Sequence, residues 1–509
     1  MDCDGAGYLE VARHLARGTG WVTNAYRFLF LPPASFPQPD AHWSPLYPLL
    51  SAISFRLFGD TYTAAKLVPF CFGVTVPPLV YLLARAVTGR TEAGWIAGLL
   101  AVAHPTLVTW SLRIETEIGT VALVLAVLAA SYAVRDRLGA AGLGVLVGLA
   151  YLMKYQSAFL WLPVLLVLLF RPDLRNRLPI VGLAGLTFGL TLLPWLVRNT
   201  LVFGDPFYGY LRYNGLSYYP EFGGEPRFLT SLTPPPDTFA YLSRHVPSAV
   251  AHFRASLKSL LFALWRDHSG SRLLLPLALV GAAALARRWR LWVPLAAYGL
   301  CLLAAFSLSV PQPRYLLSLV PLWLLAAGAG AAWLLEAARS RGPLRRAVFG
   351  GAVALLVLVA SADEARQTAA LARDRTSEWN PAAAFCGLEY EAGLPWVRAH
   401  LAPAEPVFAS EVYHAALLFE RPAIQVPFDD STLVRLRDRY LARTMVISLR
   451  ELRRRLPRWE AAPPPWAKLV ERIPPEEIRA QGHASWYGPV TELRIYRLDA
   501  GGEPGGTGS

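Results

Sequence analysis

From Pro179 to Leu201 the chain reads PIVGLAGLTFGLTLLPWLVRNTL, with Arg198 its only charged residue. A helix rises about 1.5 Å per residue and the hydrocarbon core of a bilayer is about 30 Å thick, so this stretch is read as a membrane span. Comparable stretches fill most of the first 363 positions. Spans are expected near 64–88, 93–111, 117–134, 139–153, 156–170, 179–201, 272–286, 291–310, 314–336 and 346–362. The fourth, fifth and seventh are short for a crossing.

The composition agrees. Hydrophobic residues make up 54% of the 509 positions and charged residues 17%, with a mean hydropathy of +0.34. A soluble domain carries about 25% charged residues, so this balance rules out a disordered chain and argues against an ordinary soluble enzyme. Well over a third of the charges fall in 364–509, which alternates β-rich runs (407–409, 423–426, 444–448) with helical patterns at 413–419 and 433–441. That alternation predicts a small α/β unit. The expected fold is therefore an all-α polytopic membrane protein of about 10–11 transmembrane helices with a small C-terminal α/β domain. Its parts are a first extracytoplasmic loop (1–63) with interfacial helices, a membrane domain (64–363) with a long loop at 202–271, and a soluble domain (364–509) ending in a flexible Gly-rich run.

The formal net charge of +13 does not point to nucleic acid, because the basic residues gather at span ends. Arg85, Arg90, Arg135, Arg137, Arg171, Arg175, Arg177, Arg287, Arg288, Arg290, Arg339, Arg341, Arg345 and Arg346 all fall in alternate loops, which the positive-inside rule places in the cytoplasm. The segments 1–63, 112–117 and 202–271 and the tail then face the other side, where polar chemistry is expected. A chain beginning Met1-Asp2-Cys3-Asp4 shows no leader for residues 1–63, so a further span is expected upstream. Cys3, Cys71, Cys301 and Cys386 follow no metal or redox spacing, and neither do His245, His252 and His268. All but four of the 49 basic residues are Arg, the bias of a GC-rich bacterial genome, so a bacterial inner membrane is the expected location.

Candidate chemistry lies on the extracytoplasmic side. Asp4 stands just ahead of Tyr8, Ala12 and Leu15, which share a helix face, although Asp is also a favoured helix cap. Asp2 lies beside it. His42-Trp43-Ser44-Pro45-Leu46-Tyr47-Pro48-Leu49-Leu50 reads as a short interfacial helix, with His42 a binding residue or a plain interfacial one. Glu115 and Glu117 sit at a span edge two and four residues after Arg113, where retained charge marks function or a solvated helix end. Lys154 stands where the positive-inside rule does not favour it, so a lipid phosphate is its natural partner, unless it only snorkels. Arg198 and Arg314 either grip a phosphate through their forked donors or anchor helix ends. The tyrosines of the long loop (Tyr208, Tyr210, Tyr213, Tyr218, Tyr219, Tyr241) suit sugar stacking and the interface equally.

The order Asp-x-x-x-Tyr, then Pro45-Leu46-Tyr47-Pro48-Leu49-Leu50, Leu57-Phe58-Gly59 and Val80-Tyr81-Leu82-Leu83-Ala84-Arg85 resembles the GT-C membrane glycosyltransferases. More narrowly, it resembles the bacterial branch similar to protein O-mannosyltransferases and lipid A aminoarabinose transferases (glycosyltransferase family 39-like). Ser111 to Glu117, Pro194-Trp195-Leu196-Val197-Arg198-Asn199, Gly204-Asp205-Pro206 and Pro313-Arg314-Tyr315-Leu316 continue the resemblance over roughly residues 2–336. It implies a polyprenyl-phosphate sugar as donor and a catalytic acidic residue in the first loop, a position Asp4 holds by motif. Gly5, Gly7 and His42-Trp43-Ser44 depart from the pattern, relatives carrying an acidic residue, an Arg and a Lys there. On this reading Asp4, Asp2 and Glu117 are the catalytic candidates, and Tyr8, His42, Arg113, Glu115, Lys154, Arg198 and Arg314 bind substrate. Asp4 is also a candidate ligand for a divalent cation, Mg²⁺ or Mn²⁺. The acceptor is a protein, lipid or polysaccharide. A transporter or flippase, and a non-catalytic scaffold with the same fold, are the competing readings.

Overall fold

The structure, a computed structural model, describes residues 3–171, 174, 177–268, 270–286, 288–339, 342–373, 388–480 and 490–499. Asp2, Cys386 and the Gly-rich end lie outside them.

Helix α1 (Cys3–Ala16) leads into the short strands β1 (Val22–Thr23), β2 (Ala25–Tyr26) and β3 (Gln38–Pro39), and then helix α2 (Leu46–Phe58). Pro45 and Pro48 fall at the start of α2, where a backbone N–H has no helical partner to lose. Tyr8 and Ala12 are buried in α1 as the periodicity predicts, and α1 packs on α2.

The bundle follows: α3 (Tyr62–Thr88), α4 (Thr91–Ala103), α5 (Pro105–Trp110), α6 (Glu117–Ala133), α7 (Arg137–Met153), α8 (Trp161–Phe170) and α9 (Arg177–Phe203). The span expected at 93–111 is divided at His104, because Pro105 lacks the N–H that would continue α4. The long loop folds into α10 (Glu225–Thr230), α11 (Thr238–Arg244) and α12 (Val246–Asp267). The bundle is completed by α13 (Leu275–Ala286), α14 (Trp289–Leu308), α15 (Val320–Arg339) and α16 (Pro343–Arg373). Sequence analysis ends the last span at 362. In the structure α16 runs on to Arg373, past the expected domain boundary at 363/364, because 362–373 holds strong helix formers and no breaker.

Tyr62–Thr88, Arg177–Phe203, Trp289–Leu308, Pro313–Arg339 and Ala347–Ala370 are long and apolar enough to cross a membrane, and shorter apolar helices accompany them. Their packing relies on small residues. A Cβ on Gly281 of α13 would overlap the Ala326 carbonyl of α15, and one on Gly330 would overlap the Leu277 carbonyl. This is the close backbone approach that small residues permit between helices in lipid.

The C-terminal part contains α17 (Leu388–His400), β4 (Val407–Ala409), α18 (Val412–Phe419), β5 (Ala423–Gln425), α19 (Asp430–Tyr440), β6 (Thr444–Ser448), α20 (Leu449–Arg455), β7 (Ala467–Ile473), α21 (Pro475–Ala480) and β8 (Leu493–Leu498). The sheet order is β2-β5-β4-β6-β8-β7, with the first four strands parallel and the last two antiparallel. Its outermost strand, β2, comes from the first loop, where Ala25 pairs with Ala423. Helix α18 packs on α1 and shares a continuous core with the bundle, while α19 covers the opposite face of the sheet.

Gly281→Leu is expected to prevent recovery of monodisperse protein from membranes, since the α13/α15 contact leaves no room for a side chain. Gly182→Leu, whose Cβ position meets nothing within 4 Å, should leave recovery unchanged in size-exclusion chromatography of detergent extracts.

Candidate active site

Four segments converge where the bundle meets the first loop. Asp4 lies in the first turn of α1, and Glu117 is the first residue of α6, where the positive end of the helix dipole favours a carboxylate. Lys154 occupies an extended residue between α7 and the 3-10 turn Tyr155–Leu160. Arg314 opens the 3-10 segment Pro313–Leu319 that feeds α15. Together with Tyr8, Trp43, Arg113 and other residues they line a cavity of about 720 Å³.

Arg314 is the hub. Its Nη1 donates to Glu115 Oε2 at 2.9 Å, its Nη2 to Asp4 Oδ2, and its Nε to Gln312 Oε1 at 2.7 Å, while Glu117 Oε1 lies 3.8 Å from Nε. Lys154 Nζ donates to Glu117 Oε1 at 2.5 Å and lies 4.4 Å from the centre of the Tyr315 ring. Arg113 sits 4.4 Å over the Trp110 ring and 3.9 Å from Glu115 Oε1. Three carboxylates thus meet three cations. Of the carboxylates only Asp4 has appreciable exposure, 21% of its side chain against 3% for Glu115 and 4% for Glu117. Asp4 and Glu117 line the cavity; Glu115 is held behind it by Arg314.

Tyr8 faces the same cavity, its hydroxyl 3.4 Å from Thr116 Oγ1. Burial, then the charges of Glu117 and Asp4, push this hydroxyl well above the usual tyrosine range, so it keeps its proton. His42 also lines the cavity, but burial and then Arg27 hold its ring well below the ordinary histidine range. It is a neutral group at pH 7 and supplies no positive charge to a phosphate. A Cβ on Gly7 would overlap the Trp43 indole. The small residue at position 7 and the indole at position 43 therefore share one space.

Arg198 does not join the site. It bonds Asn199 Oδ1 and the Trp21 carbonyl and lies 4.9 Å from the Trp195 and Phe203 ring centres, away from the cavity lining. Asp2 lies outside the described residues. Of the loop tyrosines, Tyr210, Tyr219 and Tyr241 are buried in a core with Phe28, Phe30 and Phe228, and Tyr218 alone reaches the cavity. Sequence reasoning missed Gln312, Tyr315, Arg27 and Glu225. Gln312 and Tyr315 flank Pro313-Arg314 and were within reach of that motif. Arg27 and Glu225, 3.0 Å apart, carry no motif at all.

Among the described residues no group of three or more His, Cys, Asp or Glu is arranged to hold a metal ion. Arg314 and Lys154 meet one oxygen of each of Asp4, Glu115 and Glu117.

Residues 39–197 match the protein family described as dolichyl-phosphate-mannose-protein mannosyltransferase. No curated protein matches the chain. Among solved structures, ArnT from Cupriavidus metallidurans bound to undecaprenyl phosphate aligns with 98% of this chain and 95% of its own length, at 14% identity and a TM-score of 0.53. The Archaeoglobus fulgidus oligosaccharyltransferase tethered to an acceptor peptide aligns with 87% of this chain, at 13% identity and a TM-score of 0.58. The oligosaccharyltransferase AglB from Archaeoglobus fulgidus, in complex with an inhibitory peptide and a dolichol-phosphate, gives 14% identity and a TM-score of 0.58. This chain spans 65% of those archaeal proteins. The fold is that of the GT-C membrane glycosyltransferases, and the chain is a multi-pass membrane protein.

Removing the hub should be costly. Arg314→Gln leaves buried carboxylates without their cation, so a loss of about 3–5 kcal/mol is expected, read as a lower thermal unfolding temperature in detergent. Adding Glu115→Gln to it should restore part of the loss. A second expectation concerns Asp40, whose carboxylate accepts from the His42 and Trp43 amides. Burial raises it from 3.8 to about 6. Stability from this raised group is complete below pH 3.8 and is lost as pH rises through 6. Asp40→Asn should therefore match wild type at pH 4 and become more stable by up to about 3 kcal/mol at pH 7, in thermal unfolding at both pH values.

Proposed function

We propose that the protein is a glycosyltransferase that moves a hexosyl or pentosyl unit from a polyprenyl-phosphate donor to an acceptor on the extracytoplasmic side of a bacterial inner membrane. The observation that carries this reading is the cavity itself: Asp4, the accessible carboxylate of the Arg314 cluster, faces it among Arg314, Lys154 and Arg113. A catalyst for sugar transfer from a lipid phosphate needs a proton acceptor beside the incoming hydroxyl and positive charge beside the departing phosphate. The likeness to ArnT bound to undecaprenyl phosphate supports the donor class.

In the proposed step the acceptor hydroxyl oxygen bonds to the anomeric carbon as the bond from that carbon to the phosphate oxygen breaks. Asp4 takes the hydroxyl proton, and the polyprenyl phosphate leaves with the bonding electrons. Lys154 and Arg113 lie on the cavity wall over the Tyr315 and Trp110 rings, placed to meet the phosphate charge. Tyr8, which keeps its proton, is a hydrogen-bond donor for the sugar or phosphate. Arg314 positions Asp4 and neutralises Glu115. Rate enhancement would come from orientation and fixed charge. The positive-inside distribution of Arg supports an extracytoplasmic C-terminal unit. Whether a divalent cation assists is proposed to be answered in the negative for this donor set, with Arg314 and Lys154 serving in its place.

The test is transfer of radiolabelled sugar from a panel of polyprenyl phosphate donors in membranes containing the chain. Asp4→Asn should lower transfer by about 10²-fold or more at unchanged protein level, the range for loss of a general base. Lys154→Gln should raise the donor KM. Full transfer by Asp4→Asn would overturn the assignment of the base, and a need for Mg²⁺ or Mn²⁺ after chelation would overturn the metal-independent reading.

A further inference from the structure

A second cavity, of about 420 Å³, opens beside the first, and nothing in the catalytic reading uses it. It lies at the carboxyl ends of the parallel strands. Ser410 follows β4, Gln425 ends β5, and Arg450, Arg454 and Arg455 belong to α20 directly after β6. Strand β4 has β5 on one side and β6 on the other, and the connecting helices α18 and α19 pack on opposite faces of the sheet. That is a topological switch point, where open α/β sheets bind their ligands in the crevice beyond the strand ends.

The walls are preorganised and polar. Glu451 and Arg455 are both buried, joined at 2.9 Å, and Arg455 also donates to the Val426 carbonyl at 2.7 Å. Gln425 is buried with its amide nitrogen bonded to the Ser410 carbonyl at 2.6 Å. Arg454, half exposed, reaches Glu451 at 3.4 Å. Guanidinium donors and carboxylate acceptors both line the space, together with Tyr413. Such a set is matched to neighbouring hydroxyl pairs, each able to give a hydrogen bond to a carboxylate and take one from an arginine. A peptide backbone would seek an open strand edge, whereas this crevice is at strand ends.

The two cavities share a wall. Arg27 and Glu225, paired at 3.0 Å, line both of them, and Arg27 lies 5.6 Å over the Tyr413 ring. We infer that the second cavity binds a sugar unit of a carbohydrate acceptor, holding the part of the glycan that lies beyond the reacting hydroxyl while that hydroxyl extends past the Arg27–Glu225 pair toward Asp4. The inference rests on the glycosyl transfer proposed above. Acceptor choice then belongs to the C-terminal sheet and donor chemistry to the bundle.

The experiment uses the full chain in nanodiscs with a labelled polyprenyl phosphate sugar. Envelope polysaccharide, envelope glycolipid and a pool of envelope peptides are offered separately as acceptors. Arg454→Ala and Gln425→Ala are compared with wild type, Arg454 being a surface residue whose loss does not threaten folding. The expected result is transfer to a glycan, with the KM for that glycan raised about ten-fold in each variant and the KM for donor unmoved. Polysaccharide alone or glycolipid alone as substrate identifies which carries the sugar. An unmoved acceptor KM in both variants, or transfer to peptide only, overturns the inference while leaving sugar transfer standing. Failure to release sugar from any donor, to acceptor or to water, overturns the proposed function and this inference with it.

Discussion

Arg314 ties together carboxylates that the chain delivers from distant places, Asp4 from its beginning and Glu115 and Glu117 from the edge of α6. Without a shared cation these groups would repel one another in a setting where water is scarce. A planar guanidinium suits the task because its forked donors address several oxygens from one fixed plane, which a lysine ammonium cannot do. The consequence is mechanical as well as electrostatic. The first turn of α1, the turn before α6 and the entry to α15 are held in one register, and the cavity between them takes its shape from that junction.

Around the hub the molecule separates two kinds of polar group. Glu115 is held behind the cavity by Arg314 and Glu117, at its wall, is paired with Lys154, while Asp4 is the more exposed of the three. Aromatic rings carry the flanking cations: Trp110 lies beneath Arg113, and Tyr315 beneath Lys154. A cation resting on a ring keeps attraction without a full set of hydrogen bonds, so it can add a phosphate oxygen at small cost. The neutral His42 lies among aromatic rings, 5.2 Å from Phe28 and 4.0 Å from Trp43, and acts as part of the cavity's shape.

Much of the fold was legible in the sequence because bilayer thickness imposes a length and a composition that no soluble helix needs. The long apolar runs of α3, α9 and α14 announced themselves, and so did the α/β alternation of the tail. Most of the site was legible too, since charges retained beside apolar runs are few and Asp4, Glu117, Lys154 and Arg314 are among them. Arg198 shows the limit of that signal: an arginine at a helix end looks the same in sequence whether it faces a cavity or lies over Trp195 and Phe203. Arg27 and Glu225 are single charges in stretches without periodicity, and their meeting is a product of tertiary structure alone. The loop tyrosines had two readings of equal standing, and burial with Phe28 and Phe30 was a third.

Strand β2 contributes only Ala25 and Tyr26, too few residues for any period-two pattern. Its place at the edge of the C-terminal sheet nevertheless joins residue 25 to residue 423 by parallel pairing. A contact of that sequence separation closes most of the chain into one loop, and its entropy must be met before the pairing returns any enthalpy. During synthesis the first loop must therefore wait, its edge unfilled, until β5 has emerged and been delivered to the same side of the membrane. The sheet thereby acts as a clasp across the chain, and the cavity beside it is walled by residues from both the first loop and the C-terminal part.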